Sequence, residues 1–198
     1  MNTIESPDAW EEASRALADL EQASPLIQPE AEEKLINATI APESASPEVL
    51  EDLKRAGAYV NCGLISEAAE VYASILDSHT DPRALLGIAR CTYELRRLHE
   101  ALGYLQILSS IDPDYPDLAN DMGVILFEMG CKAQASEQFV RAAAQNPDDI
   151  KVWLNVMDLT YDIGDYRQSI TACRRILELD PNNADALAVL ARITNPGN

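Results

Sequence analysis

PDLANDMGVILFEMGCKAQASEQFVRAAAQNPDD, residues 116–149, reads as two apolar helical runs with Gly130 between them and Asn146-Pro147 after the second. An Asx-Pro pair is a stop signal, because proline cannot continue a helix and pushes the residue before it out of the helical region. The same stop stands at Asp112-Pro113 and Asp180-Pro181, so three stops fall 34 residues apart. Between them Ala101, Ala135 and Ser169 keep that step, as do Gly130 and Gly164, and Ala68 precedes Ala101 by 33. A small residue is needed where two helices cross closely, and glycine permits the left-handed turn that joins them. The repeating unit is therefore a helical hairpin, and a period in this range signals stacked units that bury a shared core.

Working outward, the 198 residues are 47% apolar, enough for a core, which excludes disorder of the whole chain. The net charge of −18 repels phosphate backbones and anionic lipid, so nucleic acid is not an expected partner. The longest apolar runs fall far below the roughly 20 residues that cross a bilayer, and Met1 to Glu12 carries acids and no base. No membrane insertion and a cytoplasmic location are the resulting expectations. Cys62, Cys91, Cys131 and Cys173 are 29, 40 and 42 residues apart, without the paired spacing or nearby histidines of a zinc site. Each lies within an apolar helical pattern, so reduced thiols buried as small hydrophobes are expected, with no metal and no cofactor.

The hairpins resemble the tetratricopeptide repeat family. The third copy carries Gly123, Leu126, Gly130, Ala135, Phe139, Ala142 and Pro147. The fourth supplies Trp153, Gly164-Asp165-Tyr166, Ile176 and Pro181, but has Met157 for the small residue, Ser169 for alanine and Cys173 for the aromatic. In the second, Ala89, Ala101, Leu105, Leu108 and Pro113 fit, while Arg96 replaces the turn glycine and leaves that turn's geometry open. The first has Ala56, Tyr59, Gly63, Ala68, Tyr72 and Ile75. The resemblance covers about 47–193 and implies an all-α superhelical solenoid: four hairpins at about 47–81, 82–115, 116–149 and 150–183, a terminal helix at 184–193, and a tail at 194–198. Residues 1–46 hold ten acids and two bases and no repeat copy. They read as an acidic extension with a helix carrying Trp10, Ala13, Leu17 and Leu20 on one side, and a second short one from Pro29 to about Thr39. In the terminal helix, Leu187, Leu190 and Ala191 are placed like the first helix of a fifth copy, and Val189 and Ile193 read as apolar residues left outside.

Catalytic motifs are missing: the chain has no GxSxG, no phosphate-binding GxxxxGK, no GxGxxG and no HExxH. His79 stands in a loop between repeats and His99 in a helix-joining turn, both facing solvent, so no enzyme is expected. Asn37-Ala38-Thr39 matches a glycan acceptor only formally, since no secretion signal accompanies it.

What stacked hairpins supply is surface. The first helix of each pair lines the concave side of such a solenoid, and residues one repeat apart form rows along it. Tyr93, Phe127 and Tyr161 make one such row, with Val60 at the equivalent place in the first copy; beside it run Glu94, Glu128 and Asp162, preceded by Asn61. Leu53, Leu86, Arg90, Asn120, Val124, Leu154, Asn155 and Asp158 stand one or two turns earlier on the same side. Rings beside acids suit an apolar, partly basic protein segment; the competing reading has the aromatics packing on the neighbouring hairpin and the carboxylates merely solvated. The expected function is that of a non-enzymatic adaptor or scaffold whose partner is another protein. The Lys, Asn and Arg by which some family members clamp chaperone carboxylate tails are replaced here by Leu53, Gly57, Gly87, Asp117 and Asp121. A looser resemblance, over 46–147, is to the acidic chaperones of type III secretion translocators. That role, a self-assembling homo-oligomer and the regulatory portion of a longer enzyme stay open as alternatives. So does an extension that lies in the groove through Trp10, Leu17 and Leu20, against which stands the acidity of both partners.

Overall fold

The computed structural model describes residues 46–195, so the helices expected before Ser46 lie outside the described residues. Contacts divide the chain into two compact units, Met1–Pro113 and Asp114–Asn198.

In the first unit α1 (Pro47–Asn61) pairs with α2 (Ile65–Ser78), and α3 (Pro82–Glu94) with α4 (Leu98–Ile111). Local chemistry sets these limits. Ser46 caps α1 by accepting from the Val49 amide at 3.3 Å, and Asp81 caps α3 by accepting from the Arg83 amide at 2.8 Å, each followed by proline in the first turn. Burial alone would raise the Asp81 pKa, but the bonds and charge of Arg83 outweigh it and hold the carboxyl below its ordinary value. Helix α2 packs on α3, and α1 also touches α3, so the two first helices lie side by side. Val49, Ile75 and Ala84 form a core with Leu53, Tyr72 and Leu76 around it, and Leu85, Leu105 and Leu108 are fully buried.

The second unit repeats the arrangement: α5 (Leu118–Glu128) with α6 (Lys132–Gln145), α7 (Ile150–Asp162) with α8 (Tyr166–Leu179), and α9 (Ala184–Thr194) against α8. Asp149, Asp165 and Asn183 cap α7, α8 and α9 through their side chains. Helix α6 packs on α7 and α5 touches α7. Met157, Ala172, Cys173, Ile176, Ala186 and Val189 form the larger core, and Ala119, Ala142 and Val152 a smaller one.

Station by station, the repeats exchange volume between their two helices. In the third repeat, a Cβ on Gly123 would run into the ring of buried Phe139 at 2.6 Å. One repeat on, Met157 and Cys173 take those places and share one core. The fourth copy therefore keeps the sum of the two side chains while reversing which helix carries the bulk. Ser169, also fully buried, satisfies its hydroxyl by donating to the Met157 carbonyl at 3.3 Å.

Several expectations change. The Arg96 turn forms like the others, with φ of 63° where Gly63, Gly130 and Gly164 have 74°, 81° and 79°. A left-handed non-glycine residue costs roughly 1–2 kcal/mol, so Arg96→Gly is expected to raise unfolding free energy by about 1 kcal/mol in urea titrations; no gain would show that Arg96 side-chain contacts offset the strain. Cys62 is exposed at the end of α1 and Cys131 only half-buried, because each sits at a helix-joining turn; only Cys91 and Cys173 are buried. Burial pushes both buried thiols up, aided by Glu94 at Cys91 and by Asp158 at Cys173, which leaves them poor nucleophiles. His99 lies in the first turn of α4 and is exposed. In α9, Val189 is buried and Ile193 half-buried, while Leu187 and Ala191 are exposed. The reason is the stride: Leu187 and Ala191 match Trp153 and Met157, stations that face a second helix in a complete hairpin.

Candidate binding surface

The residues singled out from sequence all stand on first helices, and none is buried. In the first unit Val60, Asn61, Arg90 and Glu94 are exposed, and Leu86 and Tyr93 half-buried. In the second, Glu128, Asp158 and Asp162 are exposed, while Asn120, Val124, Phe127, Leu154, Asn155 and Tyr161 are half-buried. In the second unit Leu154 and Tyr161 also pack against the Met157 and Cys173 core, so part of each side chain is taken up inside the fold.

The second unit joins several of them directly. The Asn155 amide donates to the Asn120 carbonyl oxygen at 2.7 Å, tying α7 to α5. Asp162 meets Lys132 at 2.7 Å, an ion pair about half exposed on both sides, so this carboxylate is engaged rather than waiting for a ligand. Such a pair is worth little in water and yields to a better partner. Tyr161 lies 5.7 Å from the Tyr166 ring, tilted by 55°, and the Arg192 guanidinium sits over its face at 5.9 Å. Burial raises the pKa of Asp158, as does Asp185, with Arg192 opposing both.

Lys132, Tyr166, Asp185 and Arg192 were missed in the sequence reading. For the two α9 residues a signal existed, because one stride beyond Lys151 and Asp158 lands on Asp185 and Arg192. Carrying the stride through all first helices also separates the charges. The stations of α1 and α3 hold the bases Lys54, Arg83 and Arg90 against Glu94. Those of α5, α7 and α9 hold Asp117, Asp121, Glu128, Asp158, Asp162 and Asp185 against Lys151 and Arg192. The row of Glu94, Glu128 and Asp162 thus stands among further acids in the second unit and among bases in the first.

Among the described residues no group of three or more His, Cys, Asp or Glu could hold a metal ion, and no helix is long and apolar enough to cross a membrane.

Paired helices of near-equal length, joined by left-handed turns and repeated at a fixed stride, define an all-α helical-repeat protein. The tetratricopeptide repeat model matches residues 53–116. A tetratricopeptide repeat-containing protein of Caenorhabditis elegans, trd-1, is 27% identical over 95 residues, 48% of this chain and 12% of that protein, so the chain spans a small part of this relative. Among solved structures, MamA MSR-1 is 16% identical with a TM-score of 0.65, over 76% of this chain and 87% of that one. YrrB, described as a TPR protein with an unusual peptide-binding site, is 16% identical with a TM-score of 0.64, over 92% and 86%. The TPR domain of Arabidopsis OM64 is 15% identical with a TM-score of 0.54, over 59% and 96%. The match over 53–116 and the likeness to trd-1 support a tetratricopeptide repeat kinship, and the fold class is the all-α repeat solenoid of these structures.

Proposed function

We propose that the chain is a non-enzymatic adaptor that holds a segment of another protein on the first-helix stations of its second unit, which take apolar and basic side chains of the partner. The observation that carries this reading is Arg192 over Tyr161 beside Asp158: an aromatic face in this row already accepts a guanidinium, and acids surround it. A partner arginine or lysine next to an apolar residue matches the same chemistry at Phe127 and Glu128. Peptide binding by YrrB, a protein of the same fold, supports the class of ligand. Ordering a linear segment costs several kcal/mol, so an affinity of order micromolar is expected.

Selection of random peptides on the full chain tests this. Enriched sequences should combine Arg or Lys with apolar residues, and the triple variant Tyr93→Ala/Phe127→Ala/Tyr161→Ala should lose them by at least about 30-fold, the effect of one aromatic hot spot of about 2 kcal/mol. Circular dichroism should show the variant helical as before. Retention of the same peptides by that folded variant would overturn the assignment of these stations.

A further inference from the structure

We propose that residues 8–20 of this chain dock in cis on the first helices of the first unit, across Lys54, Gly57, Val60, Leu86, Arg90 and Tyr93.

Charge selects this place. Residues 1–46 carry ten acids against Arg15 and Lys34, with Asp8, Glu11, Glu12 and Asp19 inside the docking stretch. The stations of α5, α7 and α9 are acidic and repel such a segment, whereas those of α1 and α3 keep Lys54 and Arg90 against Glu94, Arg83 being held by Asp81. The objection that both partners are acidic thus holds for the second unit and fails for the first. Lys54 is two-thirds exposed and meets Glu51 at only 3.6 Å, a contact that a row of carboxylates can displace.

Shape and apolar area agree. Trp10, Ala13, Leu17 and Leu20 recur at helical spacing, so one side of the stretch is apolar. Facing it, Val60 is 40% exposed, and Leu86 and Tyr93 are half-buried. Between them Gly57 leaves open space: a Cβ there would meet nothing within 4 Å, which gives an indole room to lie against the helix. Reach is ample. The residues between Leu20 and Ser46 can extend up to roughly 85 Å, whereas α1 is about 22 Å long. Because the segment leads directly into α1, its effective concentration at this surface is of millimolar order, and weak docking suffices to fill it. The proposal shares its register of stations with the reading above but needs no partner protein for its test.

Replacing Trp153 by Phe in the full chain leaves Trp10 as the one tryptophan, and acrylamide quenching of its fluorescence reports whether the indole is covered. The expected result at low protein concentration is protection severalfold above that of free N-acetyltryptophanamide. Lys54→Glu/Arg90→Glu should abolish most of it, as should molar salt, where the screening length falls to about 3 Å. Lys151→Glu/Arg192→Glu should leave it intact. Quenching of Trp10 as in the free amide would overturn the proposal. Equal release by the second-unit pair would overturn the location, and protection that disappears on dilution would show docking between copies instead.

Discussion

Phe139→Ala is expected to cost about 4 kcal/mol of unfolding free energy, the range measured for deleting a buried aromatic ring. Phe139 is 1% exposed and its ring lies where a side chain on Gly123 would begin, so the backbone of α5 forms one wall of its site. A helix backbone cannot collapse into the space left behind, which places this site at the costly end of the series. The neighbouring Val140 is 61% exposed, and Val140→Ala should stay within about 0.5 kcal/mol. Guanidinium titrations of the two variants read the difference directly. A loss below about 1 kcal/mol for Phe139→Ala would mean that the third hairpin does not rely on this contact.

Restoring the family aromatic in the fourth repeat should harm the protein. Cys173→Phe brings a ring into a site already filled by Met157, both residues being at most 1% exposed, and overpacking of this kind costs about 1–3 kcal/mol. Met157→Gly alone opens a cavity and loosens α7, for a loss of about 3 kcal/mol or more. Together the two changes recreate the Gly123 and Phe139 arrangement, so the double variant should be at least about 2 kcal/mol more stable than the sum of the single effects. Additive losses would refute the volume exchange and leave the two repeats packed by different rules.

The hairpins were legible because proline and glycine act locally. Asn146-Pro147 ends a helix whatever surrounds it, and the 34-residue step needs only that signal to recur. Volume exchange was not legible as such: Met157 and Cys173, each compared alone with the family pattern, look like decay, and only their contact shows that one compensates for the other. Arg96 is a similar case, since neighbouring helices can hold a strained turn that local propensity would avoid. Cys62 misled because an apolar pattern marks the side of a helix but not the turn at its end. For the candidate surface, the aromatic and acidic rows came from the stride alone, whereas the Lys132 pair with Asp162 joins different helices of adjacent hairpins and has no periodic signature. Arg192 did have one, hidden because the last helix lacks a partner and reads as a cap. Sorting the stations by unit, and so finding opposite charge balance in the two, required the described helices.

The proposed adaptor role requires the partner on first-helix stations and not on the second helices. Nuclear magnetic resonance titration of the full chain with a peptide from the selection tests it most directly. Amide shifts are expected at Phe127, Asp158 and Tyr161 together with Arg192, while Val140 and Arg174 on the second helices stay still. Shifts gathered on α6 and α8, with the first helices unmoved, would contradict it.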